Sequence, residues 1–396
     1  MGREFVVVVR EYDPNRDLEK VGELEKSCQV GSLLVDLMGD PLARIRQSPS
    51  FHMLVAEIGN EHKEIVGMIR GTIKMVTRGN NAPSDRRREY AVDPPENTTL
   101  AFVSGLRVSP FYRRMGIGLK LVQRLEEWFR RNDAVYAYLQ TESNNDASVK
   151  LFTEKCGYSK FRTPTFLVHP VFNHRVAVSH RVSIIRLTPS DAELLYLCRF
   201  SSTEFFPSDI GSILNNKLSL GTFLALPRGK YSARSWPGST EFLSEPPGSW
   251  AILSVWNSKD VYRLQVRGTS RFKRTLAKTS RFLDAAFPFL KIPSFPDVFR
   301  PFAMHFMYGI GGEGPDAAEM VEALCCHAHN LAGKNGCAVV ASEVASCEPL
   351  RDGIPHWKIL SPEDLWCLKR LRQDGSGGDW ATSPPGLSIF VDPREI

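Results

Sequence analysis

The chain has 396 residues, 42% of them hydrophobic and 24% charged, with a formal net charge of +6. That length exceeds what one hydrophobic core usually organises, so two domains are expected, and the composition excludes both a disordered and a membrane-embedded chain. No apolar run approaches the roughly eighteen residues needed to cross a bilayer, and the positive charge is too mild to mark a nucleic-acid binder, so neither a membrane nor direct nucleic-acid contact is expected.

In chain order, residues 5–10 read as a strand, 18–28 and 33–38 as helices, and 52–57 and 65–76 as strands. An insertion follows at about 78–98 and carries Arg86-Arg87-Arg88. This order predicts mixed α and β elements around one sheet. The next strand, Leu100 to Val108, runs almost directly into Arg113-Arg114-Met115-Gly116-Ile117-Gly118. Arg, two residues, Gly, one residue, Gly is a phosphate-cradling spacing, because glycine removes the Cβ atoms that would keep a phosphate from backbone amides at a helix start. Ile117, Leu121, Leu125 and Trp128 then recur at helical spacing. The loop lacks the Gly-Lys-Ser/Thr of a P-loop and the three glycines of a dinucleotide fingerprint, so neither ATP nor NAD is indicated. Gly116 and Gly118 could also do no more than shape a tight turn, and Arg113 and Arg114 could be solvated charges.

A strand, Ala134 to Glu142, precedes a short helix with Asn145, Ser148, Leu151 and Phe152, which stops at Gly157-Tyr158. Strands at 158–161 and 165–168 would close the domain near residue 177. The second half starts the pattern again: Ile184-Ile185-Arg186 with Pro189 and Asp191 parallels Val8-Val9-Arg10 with Pro14 and Asp17. Strand 305–310, the loop Gly311-Gly312-Glu313-Gly314-Pro315, helix 317–332 and strand 337–344 repeat the strand, glycine loop, helix and strand of the first half. Glu313 places negative charge in that loop and Pro315 removes a donor, so the second loop should not hold an anion. Arg271, Lys273, Arg274, Lys278 and Arg281 fall on a helix, as a solvated face or a partner contact. Segments 227–247 and 374–386 read as surface excursions.

Cysteines 28, 156, 198, 325, 326, 337, 347 and 367 show no paired spacing and read as reduced thiols of an intracellular protein. Cys325-Cys326-His327-x-His329 has no complementary ligand pair, so no metal is expected.

The strand, the Arg-x-x-Gly-x-Gly loop with its helix, the strand Ala134 to Glu142 and the Asn-x-x-Ser-x-x-Leu-Phe helix together resemble the GCN5-related N-acetyltransferases (GNAT). Gly105 to Pro110, Ser202 to Pro207, Leu214 to Phe223 and Phe306 to Gly314 are similar in wording to the plant Hookless family of N-acetyltransferases, over nearly the whole chain. The resemblance implies an α/β fold with residues 1–177 as a GNAT domain binding acetyl-CoA, and the repeated pattern makes 180–396 a second, degenerate GNAT-like domain in tandem, supplying acceptor surface, partner contacts or a self-association interface. It places Leu106, Arg107 and Val108 on the pantetheine arm. Arg113, Arg114, Met115, Gly116, Ile117, Gly118 and Leu119 fall on the pyrophosphate, and Asn145, Ser148 and Phe152 beside the thiol. Phe152 could equally be core.

Many members of that family carry a glutamate on the strand before the loop and a tyrosine after the Leu of the Asn-containing helix. Here those stretches are Phe102-Val103-Ser104-Gly105 and Phe152, with neither group. Glu142 is the first candidate base, or else a helix cap; Tyr138 could return the proton, or pack. Glu25 and Glu57 are further acids that the sequence cannot aim. The resemblance further implies a nuclear protein of hormone-responsive growth that acetylates lysine of histones or other nuclear proteins. A fold-retaining scaffold without turnover is the alternative.

Overall fold

The computed structural model describes residues 6–28, 33–59, 63–79, 96–229, 231–232, 234–267, 271–373 and 379–396. The Arg86–Arg88 cluster and the side chains of Arg271 and Lys273 lie outside the described residues.

The first half opens with β1 (Val7–Glu11) and α1 (Pro14–Ser27), the helix started by the Asp13 side chain accepting from the Asn15 amide, with Pro14 at its first position. β2 (Leu33–Asp36), β3 (Ser50–Ile58), β4 (Glu64–Thr77), β5 (Asn97–Val108), α2 (Ile117–Arg131), β6 (Tyr136–Glu142), α3 (Asp146–Lys150), β7 (Ser159–Arg162) and β8 (Thr165–Pro170) follow. The second half opens the same way, with β9 (Val182–Leu187) leading into α4 (Pro189–Phe200), capped by Thr188. It continues through α5 (Ile210–Leu214), β10 (Ser219–Pro227), α6 (Ser239–Ser244), β11 (Trp250–Asn257), β12 (Arg263–Val266) and α7 (Arg271–Ala286). β13 (Met304–Glu313), α8 (Ala317–Lys334), β14 (Val339–Val344) and β15 (Asp364–Arg370) complete it.

The fold class is α/β with mixed sheets, in two similar halves. One sheet has the order β1-β3-β4-β5-β6-β15-β7 and the other β9-β10-β11-β13-β14-β8. In each, three successive antiparallel pairs lead to one parallel pair, β5 with β6 and β13 with β14. The sheets also exchange a strand. β15 inserts between β6 and β7 of the first sheet, and β8 pairs with β14 of the second.

Two expectations are corrected. β7 and β8 do not close the first half together, since β7 pairs with β15 and β8 with β14 of the other sheet. Residues 33–38 are not helical: Leu33 to Asp36 form β2, paired antiparallel with β12. A short apolar run cannot by itself distinguish helix from strand, and the partner that decides it lies more than two hundred residues away.

α2 lays Ile117, Leu121, Leu125 and Phe129 on the outer face of the first sheet, and α8 lays Met320, Val321, Leu324 and Cys325 on that of the second. The inner faces share a third core that joins Phe102, Tyr136, Tyr138 and Trp366 of one sheet to Phe306 and Tyr308 of the other. Buried ion pairs cross it. Arg162 donates to both Glu204 oxygens at 2.9 and 2.7 Å, and Lys74 reaches Asp392 at 3.1 Å and Glu395 at 2.6 Å.

Candidate functional site

The site begins where β5 and β6 part. Their parallel ladder runs from Leu100–Tyr136 to Val103–Leu139 and stops, so Ser104 to Val108 pair only with β4. At that point β5 carries a bulge: Arg70 faces Ser104 but Met68 faces Arg107, and Gly105 takes the left-handed backbone (φ +60°) that this requires. The extra residue reverses which face the following side chains meet. Phe102 belongs to the inner core, whereas Leu106 and Val108 pack toward α2, leaving Arg107 on the inner face with Arg70.

Beyond the bulge, Arg113, Arg114, Met115 and Gly116 are exposed, and Gly116 is the left-handed N-cap of α2 (φ 77°). No side chain caps this helix. Among the described residues, the amides of Gly116, Ile117, Gly118 and Leu119 donate to no protein acceptor; the first bond back is Lys120 N–H to the Gly116 carbonyl at 3.0 Å. A Cβ built at Gly116 meets nothing within 4 Å. Four donors without a protein acceptor at a fifteen-residue helix start, with open space at Gly116 and two arginines before it, form a cradle that suits a pyrophosphate.

α3 closes one side of this cradle. The Asn145 side chain accepts from the Ser148 amide at 3.3 Å, so both residues start α3, and Leu151 reaches to 3.4 Å from the Cβ position of Gly118. Phe152 is buried edge-on against Tyr158 at 5.3 Å. The equivalent turn of the second half is shut. A Cβ at Gly314 would lie 1.9 Å from the Gly248 carbonyl, and the Asp316 amide donates to Ser249 Oγ at 3.1 Å.

Glu142 ends β6 directly opposite Asp364 of β15. Its side chain does not cap α3, which Asn145 caps, and among the described residues it makes no hydrogen bond or ion pair. Burial and the Glu142 charge push the Asp364 carboxyl up to about 7. Tyr138 is buried on the same strand, and its hydroxyl donates to Glu395, so it faces the interior. Burial raises its pKa well above the phenol range. Glu25 reaches the β5 bulge, accepting from Arg70 at 2.5 Å, whereas Glu57 is held by Arg10 and Arg16 at the far end of β3. Asp364, Arg44 and Arg70 carried no sequence signal: each reaches the site from another strand or loop, and only the register of β15 aligns Asp364 with Glu142.

The profile of the Acetyltransferase (GNAT) family matches residues 18–158. The chain is 62% identical over 403 residues to the probable N-acetyltransferase HLS1 of Arabidopsis thaliana, covering 99% of this chain and all of that one. The chain belongs to the GNAT family. It is also 37% identical to the acetyl transferase GW6a of Oryza sativa subsp. japonica, covering 99% of this chain and 98% of that protein. In fold, the chain resembles Saccharomyces cerevisiae N-myristoyltransferase, solved with bound myristoyl-CoA. The TM-score is 0.53 at 9% identity, over 92% of this chain and 79% of that one. A GCN5-related N-acetyltransferase from Sphaerobacter thermophilus gives 0.51 at 13% identity, over 93% and 96%.

Proposed function

We propose that this chain transfers the acetyl group of acetyl-CoA to an amine of a protein acceptor, with residues 1–177 holding the coenzyme and 180–396 shaping the acceptor side. The observation that carries this reading is the row of undonated amides at Gly116 to Leu119, lying beside the strand edge that β5 leaves unpaired past Val103. In this reading the amides and the flanking Arg113, Arg114 and Met115 hold the pyrophosphate. The β5 edge at Leu106, Arg107 and Val108 holds the pantetheine, and Asn145, Ser148 and Phe152 border the thiol end. The finer expectations are a lysine acceptor on histones or other nuclear proteins, a nuclear location and a role in hormone-responsive growth.

When bound, the coenzyme supplies an activated acetyl group. The chain must then take a proton from an ammonium whose ordinary pKa is about 10.4. Glu142, which has no hydrogen-bond or ion-pair partner among the described residues, is the proposed base, and Asp364 is the neighbour that can share its proton. Tyr138 has its hydroxyl committed to Glu395, so any proton it returns must be replaced through that carboxylate.

Calorimetry with acetyl-CoA tests the coenzyme claim. Wild type should bind and Gly116→Asp should bind at least about tenfold more weakly; absence of binding in both ends the claim. A second reading, a fold-retaining scaffold acting by self-association or partner binding, draws on Phe102 to Gly105 and Phe152, which lack the acid and phenol common in the family. Coenzyme binding with no acetyl transfer to a broad panel of amines and nuclear extracts would favour it. Loss of turnover in Glu142→Gln at retained coenzyme affinity would favour catalysis.

A further inference from the structure

On the inner face of the β5 bulge lies a small cavity of about 20 Å³, lined by Glu25, Arg44, Arg70 and Arg107 among others. That is room for about one or two water-sized groups. Among the described residues that line it, three guanidiniums meet one carboxylate, an excess of two positive charges. Arg70 is almost fully buried and takes the carboxylate, with Glu25 at 2.5 Å and the Pro41 carbonyl at 2.6 Å. The other two are half-buried and bond only to carbonyls among the described residues: Arg107 to Leu106 at 3.0 Å, and Arg44 to Glu395 at 3.2 Å. Arg44 also lies 5.4 Å from the Tyr262 ring centre.

Guanidiniums withdrawn from water are ordinarily matched by anions, because desolvation of an unmatched charge is costly. The mismatch is felt at Arg107, whose pKa is pushed down to about 10 by burial and then by Arg70. The arrangement has a structural cause. The Gly105 bulge is what turns Arg107 onto this face, and a Cβ at Gly105 would sit 2.3 Å from the Arg70 guanidinium, so the glycine also makes room for it. The bulge is the same point at which β5 leaves β6, so the cavity adjoins the place where the proposed coenzyme's pantetheine would end.

We propose that this cavity receives a carboxylate carried by the acceptor close to its reactive amine, with Arg44 and Arg107 as the recognising groups. Planar guanidiniums grip carboxylates through paired, charge-assisted hydrogen bonds. The same surplus of positive charge works against acceptors whose amine is flanked by lysine or arginine. The proposal rests on the acetyl-transfer reading and narrows its acceptor class to carboxylate-bearing amines.

The test uses the full chain and two readouts. The first is kcat/KM for acetyl transfer to matched peptides in which the residues beside the acceptor amine are Glu, Ala or Lys, together with glutamate and its diamide as small-molecule acceptors. Glu peptides should exceed Ala peptides by about tenfold or more and Lys peptides by more. Arg44→Gln should remove the preference while keeping acetyl-CoA affinity, and Arg44→Lys should restore part of it. Preference for glutamate over the peptides would mark a free metabolite as the source of the carboxylate, and the reverse would mark a protein. Equal rates across the series overturn the proposal. The second readout is calorimetric binding of succinate to wild type and to Arg44→Gln. If no acceptor is ever acetylated, succinate binding that Arg44→Gln abolishes upholds the anion cavity while the enzymatic reading falls. If succinate does not bind either, both fall.

Discussion

Gly116 and Gly314 occupy corresponding turns before α2 and α8, and their surroundings decide what each turn can do. Around Gly116 there is open space, whereas Gly314 is pressed onto the Gly248 carbonyl. Replacing Gly116 by Ala should cost about 1 kcal/mol of stability from its left-handed backbone and weaken acetyl-CoA only modestly. Gly116→Asp adds a charge of the coenzyme's own sign, and calorimetry should find it about tenfold or more weaker than the Ala variant. Glu142→Gln should lower kcat about a hundredfold or more without changing the coenzyme Kd, as loss of a general base does. Asp364 provides a pH signature of a different kind. Its folded pKa of about 7 lies above the ordinary value near 4, so the folded state binds the extra proton between those limits and stability falls as pH rises through them. Asp364→Asn should therefore raise Tm relative to wild type at pH 8, with the difference shrinking toward zero near pH 4. A constant difference across that range would show that the carboxyl is not held protonated.

At the scale of elements, α2 is seated by glycines of the strand beneath it. A Cβ at Gly71 would stand 2.7 Å from Phe129 and 2.8 Å from Leu125, and one at Gly67 would stand 2.9 Å from Leu121. Gly71→Val should cost about 1–3 kcal/mol in urea unfolding through overpacking, and should displace the helix start that carries the free amides. Coenzyme affinity should fall with stability in this variant, whereas Gly116→Asp separates the two. The bulges repeat at this scale as well. Gly105 on β5 and Gly309 on β13 share the same left-handed backbone, φ +60° and +59°, beside a register shift against β4 and β11. In the second half the space at Gly309 is filled by Tyr196, whose hydroxyl bonds Ser254 and the Gly309 carbonyl. The duplicated strand geometry thus persists where the pocket beside it has been converted to packing.

At the scale of the molecule, the exchange of β8 and β15 makes each sheet incomplete without the other half. Residues 1–177 expressed alone would leave β6 without its β15 neighbour and would expose the inner aromatic core, so this fragment should aggregate or remain unfolded by circular dichroism. Full-length protein should unfold in urea in one transition rather than two. Glu204 is the ion-pair member to test, since it accepts from Arg162 and from the Trp380 indole across the shared core. Glu204→Ala should cost about 3–5 kcal/mol by stranding a buried guanidinium.

Local pattern alone determined the glycine turn before α2, its amphipathic helix, the Asn145 start of α3, and the repetition of strand, loop, helix and strand in the second half. Each depends on residues a few positions apart, and helical spacing and glycine placement record such relations directly. Tertiary structure alone decided that residues 33–36 are a strand, that Asp364 stands opposite Glu142, that Tyr138 turns to Glu395, and that Arg44 and Arg70 join Arg107 at one cavity. Those relations depend on strand order and register between segments up to some two hundred and fifty residues apart. A one-residue shift in pairing would send each of these side chains to the opposite face, so no local spacing in the chain can encode them.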